Sequence, residues 1–375
     1  MIFCVQLFAQ QKVQFSFTKK TYRDSIKNSL KKQVNETIAL PVSEQTYKKW
    51  SGAFWAMELM LYHPAGYEKI IPVQLTTLTK TSAEFQRSFL EMLYTLYPTQ
   101  FGNELEGSWK NLAGNKVKAM ALEYMALAGI FPIIEQTESF YSSGYYSFYT
   151  KRWQQNKIRL PSKKDFLQPG FLPGQTVLCS FQATDRDKPG YLQFRTTAGK
   201  WLTDEKGRVL KFPQLARSIT NLPFYLTNGN TPQGLYKITG VDTADNNWIG
   251  PTTNLQMIMP FENGPENFFG ADTSFIIFYN KILGSLSKFT SLWQSYEAGK
   301  IGRSEIIAHG TTIDPVFYKK KKYFPCTPSL GCLCSPETWN DYGERTYSAQ
   351  SDWIKVLLAL KSQPVYIIVS EVKDL

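Results

Sequence analysis

Histidine is almost missing from this chain of 375 residues, with two copies, His63 and His309. A mechanism that needs an imidazole base therefore has nearly no choice of residue. Cysteine is scarce as well, at five, too few for a disulfide scaffold in a chain of this length. No apolar run reaches the roughly 18 residues that cross a bilayer as a helix, which excludes a helical membrane span. Internal repeats are not evident. Nucleic-acid motifs and C2H2 spacing are absent too, so nucleic acid is not an expected partner. Acidic residues are in deficit: 31 Asp and Glu stand against 42 Lys and Arg, for a net charge of +11. That excess suits an anionic partner, such as a membrane surface or an acidic polymer.

What is present is ample apolar material, 43% hydrophobic and 15% aromatic residues, enough for a sizeable core. At roughly 150 residues per domain, two domains are expected. Residues 14–165 read as a helical domain. Thr81 to Glu84 has the form of a capping box, and Phe85, Phe89, Met92, Leu93 and Leu96 follow at helical spacing until Pro98. Trp50 to Met60 and Val117 to Leu127 predict two more helices. Phe140 to Tyr149 is an aromatic cluster, read as packing between domains in preference to a sugar-stacking platform. After Pro161 the texture turns to short runs of β-branched and aromatic residues punctuated by Gly and Pro. They are Val177–Gln182, Tyr191–Thr196, Phe224–Thr227, Leu235–Ile238, Leu255–Met259 and Phe275–Tyr279. A helix over Trp353–Leu360 and a buried strand over Val365–Val369 close the chain. The expected class is α+β, a helical domain followed by a β-rich domain over 166–375.

Residues 1–13 read either as the back half of a truncated secretory signal, ending in Phe8-Ala9-Gln10, or as a first β-strand. Three later segments carry chemistry. Thr231-Pro232-Gln233-Gly234-Leu235-Tyr236-Lys237-Ile238 is a turn feeding a strand. Ile306 to Thr311 is an apolar strand that delivers His309 to its end, followed by Gly310. Thr327 to Cys334 is a loop that sets Cys332 beside Gly331. A thiolate is the nucleophile, and a free cysteine near pH 8.5 needs a base or a cation to become one. His309 is the candidate base for Cys332. The amides of Gly331 and Cys332 are candidates for an oxyanion hole. Thr311 and Ser329 are candidate hydrogen-bonding partners of a substrate.

Together these segments resemble the YkuD-type L,D-transpeptidase family of bacterial cell-wall enzymes over roughly residues 175 to 375. That family carries an upstream Thr-Pro-x-Gly-x-aromatic-x-Ile strand, here Thr231 to Ile238. It then has a strand-borne His-Gly, here His309-Gly310, and a Ser/Thr-His-Gly-Cys signature, here Ser329-Leu330-Gly331-Cys332. Two positions depart from the pattern: the signature histidine is Leu330, and the arginine two places after the cysteine is Cys334. The resemblance implies a β-rich catalytic domain in which Cys332, deprotonated by His309, attacks a peptidoglycan stem peptide. The Gly310 carbonyl would orient the imidazole, and Gly331, Ser329, Leu330 and Thr311 would line the substrate and oxyanion side. It implies no cofactor and no metal, and a periplasmic or cell-envelope location in a bacterium. Lys319 to Lys322 would then sit beside the site, either attracting stem-peptide carboxylates or forming a solvated loop.

Rival readings stay open. His309, Cys326, Cys332 and Cys334 have the residue types of a tetrahedral zinc site, although Cys-x-Cys is tighter than the usual gap. A disulfide between Cys326 and Cys334 would brace the loop and leave Cys332 as a thiol. A third reading is a degenerate module that binds cell-wall peptides without reacting. Cys179, in an apolar strand, reads as a buried inert thiol, and His63 as a helix-end residue without chemistry. The role of the helical domain and the oligomeric state are not legible.

Overall fold

The computed structural model describes residues 16–136, 139–154, 158–244, 248–249, 251–270, 274–311 and 329–375. The reading of residues 1–13 and those of Lys319–Lys322 and Cys326 lie outside the described residues. Two units emerge: Asp24–Lys157 together with Ile219–Gly229, and Ile158–Ser218 with Asn230–Leu375 and the described residues ahead of Asp24. The first is helical and the second is built on a large mixed sheet, so the chain is α+β.

The helical unit is made from α1 (Lys20–Thr37, which begins in the other unit), α2 (Tyr47–Met60), α3 (Ile71–Thr77), α4 (Ala83–Leu96), α5 (Gly102–Glu106), α6 (Gly114–Leu127) and α7 (Gly144–Gln154). Aromatic side chains at helical spacing meet in its centre. Phe54 of α2 lies 5.6 Å from both Phe85 and Phe89 of α4, and all three are buried. The cap of α4 is Ser82, whose hydroxyl accepts from the Phe85 amide at 3.2 Å. It is not the predicted Thr81, because that hydroxyl is spent on the Leu78 carbonyl of the preceding 3-10 turn. The aromatic cluster packs inside this unit, where Phe148 meets Phe224 at 5.7 Å and Tyr225 at 5.2 Å. The predicted strand at Phe224–Thr227 is therefore wrong. Asn221 and Asn228 take positive φ on either side of it, and the segment turns instead of extending. A buried carboxylate, Glu123, accepts from Arg152 at 3.1 Å, Trp153 at 2.9 Å and Tyr225 at 2.6 Å.

The sheet unit holds β1 (Val177–Gln182), β2 (Gly190–Arg195), β3 (Phe212–Gln214), β4 (Gly234–Asp242), β5 (Asn254–Ile258), β6 (Ala308–Gly310), β7 (Leu333–Ser335), β8 (Glu337–Trp339), β9 (Arg345–Ser348) and β10 (Tyr366–Glu371). Eight of them form one sheet in the order β3-β2-β1-β10-β4-β5-β6-β7, and β8 pairs with β9. The pairs β1–β10 and β6–β7 are parallel. Leu215, just past β3, exchanges backbone hydrogen bonds with Cys334 of β7 at 2.8 and 2.9 Å, which draws the two ends of the sheet together.

The remaining helices are α8 (Gly264–Phe269), α9 (Phe275–Leu283), α10 (Gln294–Lys300) and α11 (Ala349–Ala359). Phe181, Leu235 and Ile368 from the sheet share a core with Phe268, Tyr279 and Leu283 from α8 and α9. The apolar run Phe275–Tyr279, predicted as a strand, is the start of α9. Its burial follows a four-residue step, with Tyr279 and Leu283 inside and Ile276 and Ile277 exposed. Packing on the sheet overrides the β preference of its residue types. Helix α11 lies against β3, β5 and β6, and Gln350 donates to the Ala308 carbonyl at 2.9 Å.

Candidate active site

Register sets the two candidate reactive residues on neighbouring segments. In the parallel pair β6–β7, His309 sits opposite Cys334 and Ala308 opposite Leu333. The Leu333 amide donates to the Ile307 carbonyl at 3.0 Å, so Cys332 arrives beside Ile307. Directly opposed residues share a face, so His309 and Cys334 lie on one face of the pair, and Cys332 precedes β7 in the bend that leads into it. The Cys332 Sγ accepts from the Ile307 amide at 3.5 Å and faces the Glu305 carbonyl at 3.6 Å. Cys332 is half-buried, whereas Cys334 is buried in β7.

The imidazole is oriented by its own neighbour. His309 Nδ1 lies 2.9 Å from the Gly310 carbonyl. A carbonyl only accepts, so Nδ1 carries the hydrogen and Nε2 keeps its lone pair in the neutral ring. Burial pulls the His309 pKa below its ordinary 6.5, against the opposing effect of this hydrogen bond. The same desolvation pushes the Cys332 thiol upward, while the Ile307 amide and the Arg303 charge act the other way. Both shifts favour the uncharged forms, a thiol at Cys332 and a neutral imidazole at His309.

Gly310 has a physical reason to be glycine. The carboxylate of Glu337, fully buried, occupies the space where a Cβ would stand. Glu337 Oε1 accepts from the Thr252 and Ser348 hydroxyls, both at 2.5 Å, and lies 4.0 Å from Arg345 Nη1. Burial raises its pKa from 4.5 to about 7, with the two hydroxyls and Arg345 moderating the rise.

The cysteine loop is braced by short polar contacts. Gly331 adopts φ 125°, a conformation open to glycine and strained for other residues. Its carbonyl accepts from Thr231 Oγ1 at 2.7 Å, which ties the loop to the start of β4. Ser329 Oγ donates to the Cys332 carbonyl at 2.7 Å and accepts from the Gly331 amide at 3.1 Å. Ser329 therefore works here as a loop brace, and it engages the Gly331 amide assigned to an oxyanion hole. Leu330 is 43% exposed. Thr311 is buried, and its Oγ1 has no hydrogen-bond partner among the described residues.

Two contributors escape the sequence, Glu337 behind Gly310 and Arg303, whose charge acts on the thiol, while Thr231, read there as part of a turn feeding a strand, braces the cysteine loop. Arg303 lies six positions before His309, and that proximity was the one signal available. Cys179 is fully buried and its thiol is pushed up to about 12, mainly by desolvation. His63 is exposed past the end of α2, edge-on to Tyr97 at 5.0 Å. Among the described residues no group of three His, Cys, Asp or Glu side chains could hold a metal ion, and Cys326 of the zinc and disulfide readings lies outside them. No helix of the described residues is long and apolar enough to cross a membrane. No protein-family model, curated protein or solved structure matches the chain.

Proposed function

We propose that the sheet unit is a cysteine-dependent acyl transferase acting on peptidoglycan stem peptides, with Cys332 as nucleophile and His309 as base. What supports the reading is that the parallel register of β6 and β7 brings Cys332 beside Ile307, two residues from His309, whose Nδ1 is engaged by Gly310 and whose Nε2 is left as acceptor. The proton on Cys332 Sγ passes to His309 Nε2 as sulfur attacks the carbonyl carbon of an L-configured residue. The carbon–nitrogen bond breaks, and His309 returns the proton to the departing amine of the terminal D-amino acid. A second amine then attacks the thioester, gives its proton to His309 and restores the thiol. The product is a cross-link, or a trimmed peptide when water takes the place of the amine. The sequence resemblance supplies the substrate class and the envelope location, and the net charge of +11 suits an acidic polymer.

The neutral resting thiol also supports a second reading, in which the fold holds cell-wall peptides without reacting. Incubation with a stem tetrapeptide ending in a D-amino acid separates the two. Release of that amino acid by the wild type, and its loss in Cys332→Ala and His309→Gln, is the expected result. Retained peptide binding with no release in the wild type would establish the binding module.

A further inference from the structure

Among the described residues, the cation that acts on the thiol of Cys332 is Arg303, which no motif announces. Arg303 sits in the turn after α10, where its amide donates to the Ala298 carbonyl at 2.9 Å and Gly302 takes φ 86°. From there the chain runs through Glu305, at φ 63°, whose carbonyl faces the Cys332 sulfur at 3.6 Å, to Ile307, whose amide donates to it at 3.5 Å. The Arg303 side chain reaches the segment that leads into β4. Its Nη1 donates to the Asn230 carbonyl at 2.9 Å, and the next residue, Thr231, donates to the carbonyl of Gly331, which directly precedes Cys332. Arg303 thus joins the segment that meets the sulfur, through Glu305 and Ile307, to the segment that braces Gly331, through Asn230 and Thr231.

We propose that Arg303 is a positioning residue that stabilises the thiolate of Cys332 electrostatically. The inference rests on the acyl-transfer reading for its purpose, but the charge effect itself does not. Among the described residues, the charged and titratable groups that act on the sulfur are Arg303, Glu305 and Tyr236, with His309 on the neighbouring strand. Arg303 favours the anion and Glu305 opposes it. Tyr236 is buried, donates to the Pro232 carbonyl at 2.7 Å and is neutral, since desolvation holds its hydroxyl well above the ordinary range. His309 is neutral for the reason given above. Arg303 is half-buried and Glu305 exposed, so the field of the cation is less screened and outweighs that of the carboxylate. Desolvation brings the Arg303 pKa down to about 10, partly restored by Tyr236 and Cys332, so the guanidinium stays charged at neutral pH.

The test is the pH profile of Cys332 alkylation by iodoacetamide, read by peptide mass, in the full chain and in Arg303→Gln and Arg303→Lys. Glutamine keeps a donor for the Asn230 carbonyl without the charge; lysine keeps the charge. The midpoint should rise by about one pH unit in the glutamine variant, slowing the reaction about tenfold at pH 8, and lysine should recover most of it. An unchanged midpoint in Arg303→Gln overturns the proposal, as does a lysine variant that tracks the glutamine one. A wild-type measurement stands independently of how the variants fold. Anionic iodoacetate should gain on neutral iodoacetamide at native Cys332 relative to the urea-unfolded chain, and lose that gain in high salt. Equal ratios in native and unfolded protein overturn the proposal. Alkylation needs no acyl transfer, so a charge effect found without D-amino-acid release would sink the acyl-transfer reading alone.

Discussion

Replacing Glu337 by glutamine should change how stability depends on pH. The carboxyl is fully buried behind Gly310, and burial moves its pKa from 4.5 to about 7. In the folded protein it therefore holds a proton that the unfolded chain releases. The resulting stabilisation is fully present below pH 4.5 and is lost as the pH rises through about 7. At 1.36 kcal/mol per pH unit of displacement, the loss is about 3 kcal/mol. Glutamine keeps an oxygen for the Thr252 and Ser348 hydroxyls but does not titrate. It also places an amide where Oε2 now lacks a hydrogen-bond partner, which adds a cost that does not vary with pH. The quantity to read is the difference between wild type and variant, from urea unfolding at several pH values between 4.5 and 8. Glu91, also raised to about 7 by burial, is present in both proteins and cancels in that difference. The variant should gain about 3 kcal/mol on the wild type across this range. Parallel curves would refute the claim that Glu337 is buried with a raised pKa.

Gly310→Ala should cost about 1–3 kcal/mol through overlap with the Glu337 carboxylate, seen as a lower urea midpoint. It should also cut D-amino-acid release about a hundredfold by shifting the carbonyl that orients His309. Glu123→Ala should destabilise the helical unit by about 3 kcal/mol or more, because the buried Tyr225 hydroxyl and the Arg152 charge lose their shared acceptor. Urea unfolding with a helix-sensitive signal measures it.

Much of the fold was legible where local pattern and burial agree. Val177–Gln182 forms a strand because both its faces are covered, so a continuous apolar run is what the structure requires. The helix over Val117–Leu127 starts only three residues earlier than predicted, at Gly114, and Leu61 and Gly129 close α2 and α6 at positive φ. Phe275–Tyr279 misled because five apolar residues cannot reveal a period of 3.6. Only the burial of Tyr279 and Leu283 does that. Phe224–Thr227 failed because its partners, Phe148 and Glu123, come from far away in sequence. Within the site, His309 and Cys332 could be picked out by residue type. The register that pairs His309 with Cys334, the Glu337 carboxylate behind Gly310 and the reach of Arg303 to Asn230 depend on strand order, which no local window contains.

Intact mass after incubation with a carbapenem shows whether Cys332 is a reactive, acyl-accepting thiol. The wild type should carry a single covalent adduct and Cys332→Ala none. A folded wild-type protein with Cys332 reduced and no adduct would contradict the acyl-transfer reading.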